Sequence, residues 1–268
     1  MAEATKPVAE DEAAPADEQG AGDGEQGAGT EEKPSPPAID RGRRWFSLSG
    51  AVPLAVFLVE HILTNASALG GESSFDRVVG RLQRLAILPV IEIVFIFAPL
   101  AFHVGYGIKL TREGPPKDVE PGLPQLLHRL LRISGFVVLA FVLVHLWHLR
   151  FQKLFFGLGG SAFYSKLTLD MSWTKWGVPW IAFGYLVGIA ATTFHFAYGL
   201  ITAAATWTRI PRRRAMIGGI LLGAVLFVTA SATVVGLSTG MRLWGSESQP
   251  GPCGSLVPSA RRAPPARP

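Results

Sequence analysis

Apolar residues in this chain gather into five long runs, at 45–65, 85–110, 133–150, 173–207 and 215–237. The stretches between them are rich in Gly, Pro and charge. About 20 apolar residues are what a helix needs to cross the ~30 Å hydrocarbon core of a bilayer. The pattern therefore predicts an all-α integral membrane protein, a bundle of five transmembrane helices set in a lipid bilayer. Pro53 in the first run and Pro89 and Pro99 in the second do not argue against this, because membrane helices tolerate proline where neighbouring groups re-satisfy the backbone. Residues 66–83 read as a polar connection, 125–132 as a short amphipathic piece ahead of the third span, and 156–170 as a Gly-rich connection. The fourth run is long enough to begin in the interface.

The ends differ in kind from the middle. Residues 1–40 are mostly Ala, Glu, Gly and Pro with almost no large apolar side chain, so burial cannot offset the entropy of ordering them. They are predicted to be a disordered acidic tail, and residues 241–268, rich in Pro, Ser, Gly and Arg, a second one. The membrane domain is then 41–240. The N-terminal tail has no basic region followed by an apolar core, so the first helix itself is expected to direct insertion.

Composition narrows the chemistry. The single cysteine, Cys253, excludes an intramolecular disulfide framework, a C-x-x-C motif and a cysteine-ligated iron–sulfur cluster within this chain. The formal net charge of +5 hides an asymmetry: residues 1–38 hold ten acids against Lys6 and Lys33, and the remainder is strongly basic. In a membrane protein such a balance orients loops and does not imply nucleic acid. Arg41, Arg43 and Arg44, then Lys109 to Arg132, then Arg209, Arg212, Arg213 and Arg214 fall on one side. By the positive-inside rule the N-terminus is cytoplasmic and the C-terminus periplasmic or extracellular, which five spans permit.

One motif recurs inside the spans. Phe102-His103-x-x-Tyr106-Gly107 in the second returns as Phe194-His195-x-x-Tyr198-Gly199 in the fourth. Ionisable side chains in such runs are costly and are candidates for function. Histidine is a common metal ligand, and the glycine four residues on leaves that helical face open to a flat macrocycle. Helical rise sorts the intramembrane histidines by depth. His61 and His145 fall near the outer ends of the first and third spans, and His103 and His195 fall in the inner halves of the second and fourth. Each layer takes one histidine from each of two helices, as two bis-histidine haems require; scattered core histidines would not sort this way. His148, one turn beyond His145, is open to three readings: the ligand itself, a quinone or propionate partner, or a wet interfacial residue. Its place at the outer surface favours His145 as the ligand. His128 lies in a basic amphipathic segment and reads as a surface residue. Arg150 and Lys153 outside, and Lys109, Arg129 and Arg132 inside, are available to haem propionates or simply anchor helix ends.

The residues then resemble a known family. Ser47-Leu48-Ser49-Gly50-Ala51-Val52-Pro53, Phe57-Leu58-Val59-Glu60-His61 and Asn65 resemble the first helix of the five-helix, dihaem cytochrome b subunit of succinate dehydrogenase and fumarate reductase. Pro99 to Gly107, Arg132-Ile133-Ser134-Gly135 with His145-Leu146-Trp147 and Arg150, and Phe194-His195-Phe196 with Gly199 extend the likeness over residues 42–240. The resemblance implies a subunit of the bacterial inner membrane that passes electrons between an iron–sulfur partner and a quinone, usually menaquinone. It implies two haem b groups, the inner held by His103 and His195 and the outer by His61 and His145. The dicarboxylate chemistry then lies on flavoprotein and iron–sulfur partners. Where some relatives place a glutamate two residues before the fourth-span ligand, this chain has Thr193, so a proton path would have to use Glu92 or Glu60.

A quinone site needs polar groups near a haem edge. Glu60, Asn65, Asp76, Trp147 and His148 are candidates on the outer side and Arg44, Ser47 or Ser49 on the inner, with the outer preferred; Arg150 and Arg132 are candidate propionate contacts. Two rivals remain at this stage. One is the haem b anchor of another quinone-linked dehydrogenase, separable by its co-purifying subunits. The other is a haem-free transporter relaying protons through Glu60, Glu92 and the histidines.

Overall fold

A computed structural model of the chain describes residues 41–114, 123–157 and 162–244. The expected tails, up to residue 40 and from 245 onward, and the loop residues Pro115, Pro116, Lys117 and Pro121 lie outside the described residues. Within these, the chain forms α1 (Arg41–Gly70), α2 (Glu72–Gln83), α3 (Leu88–Arg112), α4 (Leu123–His145), α5 (Ala162–Ser172), α6 (Trp180–Trp207) and α7 (Arg212–Thr239). Beyond His145, α4 runs on through a π-helical turn at Leu146–Phe151 and a last turn at Gln152–Phe156. Five of these helices, α1, α3, α4, α6 and α7, are long and apolar enough to cross a membrane. They alternate in direction. One end of the bundle gathers Arg41, Arg43, Arg44, Lys109, Arg112 and Arg212 to Arg214, and is called the basic end below; the other is the far end.

Many large apolar side chains on the spans stay exposed, among them Ile93 and Phe95 on α3, Leu143 and Val144 on α4, and Leu221 and Val228 on α7. That is the pattern of a surface solvated by hydrocarbon, where helices associate through small residues and close packing. The closest approach shows this. A Cβ at Gly223 of α7 would lie 2.7 Å from the Ala197 Cβ of α6, and one at Gly219 would lie 2.6 Å from Ile201 Cγ1. Leucine at Gly223 is therefore expected to push α7 off α6 and to cost about 1–3 kcal/mol, the usual cost of overpacking. A thermal melt of the detergent-solubilised protein reads it; an unchanged midpoint would mean that α6 and α7 do not meet here.

Three connections differ from the sequence reading. Residues 72–83 form a helix, α2, because Phe75, Val79 and Leu82 recur at helical spacing and bury one face. Residues 162–172 form α5 for the same reason, with Leu167 and Met171 inward. Together they cap the far end: Phe75 stacks on Phe163 at 6.3 Å and clusters with Ala68, Leu167, Met171, Ala182 and Val234. The amphipathic piece at 125–132 is not separate but the first turns of α4, since nothing there interrupts the backbone ladder. The fourth span starts at Trp180, not Trp173. Trp176 and Gly177 both have positive φ (57° and 76°) in a tight turn closed by Lys175 and Val178, and Pro179 lacks the amide hydrogen a continuing helix would use. Trp173, Trp176 and Trp180 are all exposed there, in the position of an interfacial aromatic belt.

Two further π-helical turns, at Gly50–Leu54 in α1 and Glu92–Phe97 in α3, sit beside proline. Pro53 lies inside the first and Pro99 follows the second, and each removes one donor from the i→i−4 ladder. Wide turns of this kind re-aim side chains and recur at functional sites. The turn in α1 presents Gly50 to α3.

Candidate functional site

The four histidines of α1, α3, α4 and α6 meet in two pairs. At the basic end the rings of His103 (α3) and His195 (α6) stand 6.3 Å apart between centroids and nearly perpendicular, at 87°. Toward the far end His61 (α1) and His145 (α4) stand 5.7 Å apart at 88°. Twelve residues separate Ser49, at the level of the first pair, from His61 on α1. Helical rise therefore sets the two pairs roughly 18 Å apart along the bundle.

The basic-end pair is held by a construction that appears twice. The Ser49 hydroxyl donates to the Phe46 carbonyl at 2.8 Å, and its oxygen lies 3.3 Å from His103 Nδ1. The Ser134 hydroxyl donates to the Leu131 carbonyl at 2.9 Å, and its oxygen lies 3.2 Å from His195 Nδ1. The Leu131 carbonyl is also 3.2 Å from that nitrogen. A serine whose one proton is already donated can only accept from the ring, and a carbonyl only accepts. The network thus assigns the proton to Nδ1 in both rings and leaves each Nε2 with a free lone pair. The next residue in each copy is glycine. A Cβ at Gly50 would lie 2.7 Å from His103 Cε1, and one at Gly135 would lie 3.2 Å from His195 Cε1. Phe46 completes the holder on α1, stacking on His103 at 4.4 Å and 14°. The glycines of the F-H-x-x-Y-G motif are placed differently: a Cβ at Gly107 would lie 3.5 Å from the Phe46 ring, and one at Gly199 would meet nothing within 4 Å.

The far-end pair has another surround. His145 is flanked by Phe141 and Tyr185, each 5.7 Å away. Its Nδ1 is buried with no hydrogen-bond partner, an arrangement that a native interior normally avoids. His61 has Phe57 at 5.2 Å. Asn65 donates to the His61 carbonyl at 2.7 Å and reaches His61 Nε2 only at 3.4 Å, so its amide serves mainly its own helix.

His148 does not join either pair. Its Nδ1 lies 2.9 Å from the Tyr185 hydroxyl and its Nε2 2.9 Å from Asp170 Oδ2, with Lys166 paired to the same carboxylate. Both ring nitrogens are used in tying α4 to α5 and α6, and the residue is half-buried. Asp170, Lys166 and Tyr185 were not singled out from the sequence. Asp170 and Lys166 fell in a segment read as a loop, and only the helical spacing of α5 would have flagged them. His128 is half-buried edge-on to Tyr198 at 6.0 Å.

The other expected contacts are largely engaged within the protein. Arg150 pairs with Glu92 across α4 and α3. Arg132 donates to the Gly114 carbonyl at the end of α3. Ser47 accepts from Trp207 Nε1 at 3.3 Å, and Arg44 lies 5.0 Å over the Trp207 ring. Thr193 is buried and donates to the Ile189 carbonyl of its own helix at 2.8 Å. Trp147 is exposed against Phe151, and Asp76 is half-buried on α2. Among the described residues, no group of three or more His, Cys, Asp or Glu is placed to hold a metal ion. Each pair therefore offers two opposed nitrogen ligands and no more.

No family model and no solved structure matches the chain. The chain is similar to the succinate dehydrogenase cytochrome b558 subunit of Bacillus subtilis (strain 168), 29% identical over 192 residues, which are 70% of this chain and 90% of that protein. The aligned length is close to that of the five-span region, and the relative is a subunit of an enzyme complex. In sequence the chain is thus similar to the succinate dehydrogenase cytochrome b558 subunit, and among the described residues it has five helices long and apolar enough to cross a membrane.

Proposed function

We propose that this chain is the membrane-anchor cytochrome b of a succinate:quinone oxidoreductase, binding one b haem at each histidine pair. The observation that carries the reading is the pairing itself, two perpendicular imidazoles facing one another in each of two layers. Two imidazole nitrogens would suffice to hold an iron carried in a macrocycle and would be too few for a bare metal ion. The donor sets fit. At the basic end, Nδ1–H bonded to serine and carbonyl leaves Nε2 for the iron and strengthens it as a donor; at the far end, Nδ1 of His145 lacks a protein partner. When bound, each haem supplies a one-electron couple. The chain's own histidines would hold the haem, with Ser49 and Ser134 fixing the tautomers of the basic-end pair and Phe46, Phe57, Phe141 and Tyr185 packed beside the rings.

In this reading the basic end faces the cytoplasm and the iron–sulfur partner, and the flavoprotein beyond it carries the dicarboxylate site. The far-end pair then exchanges electrons with a quinone, of which menaquinone is the usual form. Arginines at the basic end support that orientation, and the relative's name supports the enzyme complex. A pyridine haemochrome assay on the purified complex is expected to return two b haems per copy of this chain; one would dissolve a layer, and none would remove the reading.

The serine holders make a separate prediction. Ser49→Ala or Ser134→Ala is expected to weaken haem retention in the basic-end layer by about 10–100-fold, the usual cost of removing a group that orients a metal ligand. Ser49→Thr and Ser134→Thr, which keep the hydroxyl, should restore most of it. Low-temperature electron paramagnetic resonance distinguishes the cases, because a changed imidazole orientation shifts the low-spin g values of one haem and not the other.

A further inference from the structure

Two buried side-chain atoms lack a hydrogen-bond partner among the described residues, His145 Nδ1 and Ser231 Oγ. The first belongs to the far-end pair; the second lies on α7 and has no part in either layer. A hydroxyl on a membrane helix ordinarily donates to a carbonyl one turn back, as Thr233, Ser238 and Thr239 of the same helix do at 2.7–3.0 Å. At the bilayer face of α1 the Thr64 hydroxyl is likewise spent, donating to the exposed Glu60 at 2.6 Å. Ser231 makes no such bond, and a folded protein seldom leaves a buried polar group unpaired.

That hydroxyl lines an apolar cleft of about 370 Å³ at the far end, a size within the range of small-molecule sites. Phe227, Val228 and Val235 line it from α7, Leu69 from the end of α1, and Met241 and Leu243 from the strap that follows α7. Gly240 ends the helix with a positive φ of 75°, and the Leu243 amide donates to the Leu69 carbonyl at 2.9 Å, which holds the strap in place. Arg242, between the two strap residues of the cleft, is exposed and lies against Gly71, where a Cβ would fall 3.1 Å from the guanidinium carbon. Val228, Met241 and Leu243 are exposed to the bilayer side. A buried hydroxyl, apolar walls and a cation near the helix ends thus stand together, and we propose that they dock one anionic phospholipid. An acyl-ester carbonyl accepts from Ser231 Oγ, an acyl chain lies against Phe227 and Val228, and the phosphate meets Arg242.

The chemistry selects this occupant. A bare hydrocarbon chain would leave Ser231 unpaired. A water needs two to four polar partners, and Ser231 is the one polar side chain of the lining. The backbone carbonyls of a neighbouring transmembrane helix are already used in its own ladder. An ester carbonyl is the acceptor that the edge of the hydrocarbon layer supplies. The spacing agrees as well. The Met241 carbonyl folds back beside Gly236, where a Cβ would be 3.0 Å from it, and Gly236 stands five residues beyond Ser231, about 7.5 Å along the axis. The headgroup layer on one side of a bilayer is about 5–8 Å thick, so a lipid with its ester at Ser231 brings its phosphate to the strap. A guanidinium takes a phosphate through two parallel N–H bonds, and its charge favours a lipid of net negative charge over a zwitterionic one. The inference stands apart from the haem reading.

The test uses the complex as purified from membranes, in detergent, with dioleoyl-phosphatidylglycerol or dioleoyl-phosphatidylcholine added and bound lipid counted by native mass spectrometry. One phosphatidylglycerol per copy of this chain is expected, held about fivefold or more tightly than phosphatidylcholine. Arg242→Gln should bring the two lipids within about twofold of each other. Ser231→Ala, which removes the donor, should weaken phosphatidylglycerol by about 2–10-fold. Val228→Trp, which fills the cleft from its exposed rim, should displace both lipids, while Val225→Trp, exposed on the same helix but outside the cleft, should displace neither. Val228 and Arg242 are exposed, so these substitutions leave the bundle packed. Equal retention of the two lipids by the unsubstituted complex, an unchanged preference in Arg242→Gln, or unchanged retention in Ser231→Ala or Val228→Trp overturns the assignment. Equal loss in Val225→Trp and Val228→Trp would mean bulk lipid solvation, and extra copies of the chain in place of lipid would make the face a subunit interface; either result overturns it too.

Discussion

If the chain binds one haem at each histidine pair as proposed, alanine at His103 or at His195 is expected to take away one of them and to reduce electron transfer from succinate to quinone by more than about a hundredfold. The argument is structural and local. Each of these rings is fixed by a serine and a carbonyl on a different helix, so its Nε2 has one position, and removing the ring leaves a single imidazole opposite a buried void. A pair reduced to one imidazole would no longer hold a haem as proposed, and loss of a ligand costs more than the 10–100-fold seen for supporting groups. Succinate oxidation followed with a soluble dye should persist, because the proposed function places the dicarboxylate chemistry on partner subunits. Pyridine haemochrome counts and paired quinone and dye assays check it. A variant that kept two haems and full quinone reduction would end the assignment of this pair.

The second large effect separates two histidines three residues apart. In the proposed two-haem arrangement His145→Ala should remove the far-end haem, while His148→Ala should keep both haems and lower thermal stability. His145 is opposed to His61 across 5.7 Å and has an unpartnered buried nitrogen; His148 has both nitrogens occupied by Tyr185 and Asp170. Loss of His148 leaves the Lys166–Asp170 pair in place but cuts the tie from α4 to α5 and α6, a fold cost more than a redox cost. If His148→Ala emptied the far-end layer and His145→Ala did not, the two roles would be exchanged.

Much of the architecture was legible before any coordinates. Apolar runs of span length with few charges inside them leave little choice but membrane helices, since an unpaired backbone cannot exist in hydrocarbon. The two far-end helices were misread for the opposite reason. In α2 and α5 the apolar residues are few and interleaved with Glu72, Asp76, Arg77, Lys166 and Asp170, and their helical spacing matters only because the ends of the spans provide something to bury it against. The start of the fourth span is signalled in sequence by Gly177 and Pro179, but the tryptophans around them extend the apolar run to Trp173 and mask it.

The histidines divide in the same way. Position along each helix is a property of sequence, and with a constant rise per residue it yields depth, so two layers follow from counting. Which nitrogen is held, and by what, is not. Ser49 was read as a possible quinone contact, yet it lies against His103; the repeat of Ser-Gly at 49–50 and 134–135 has meaning only when α1 meets α3 and α4 meets α6. Glu60 was visible as an acid in an apolar run, but whether it faced the bundle or the bilayer depended on the rotation of α1, which packing against α6 and α7 decides. Sequence by itself determined the spans, their alternation and the depth of each ionisable group, because hydropathy and helical rise act locally. Only the tertiary structure decided which faces meet, because tautomer, pairing and exposure are relations between helices that no single helix contains.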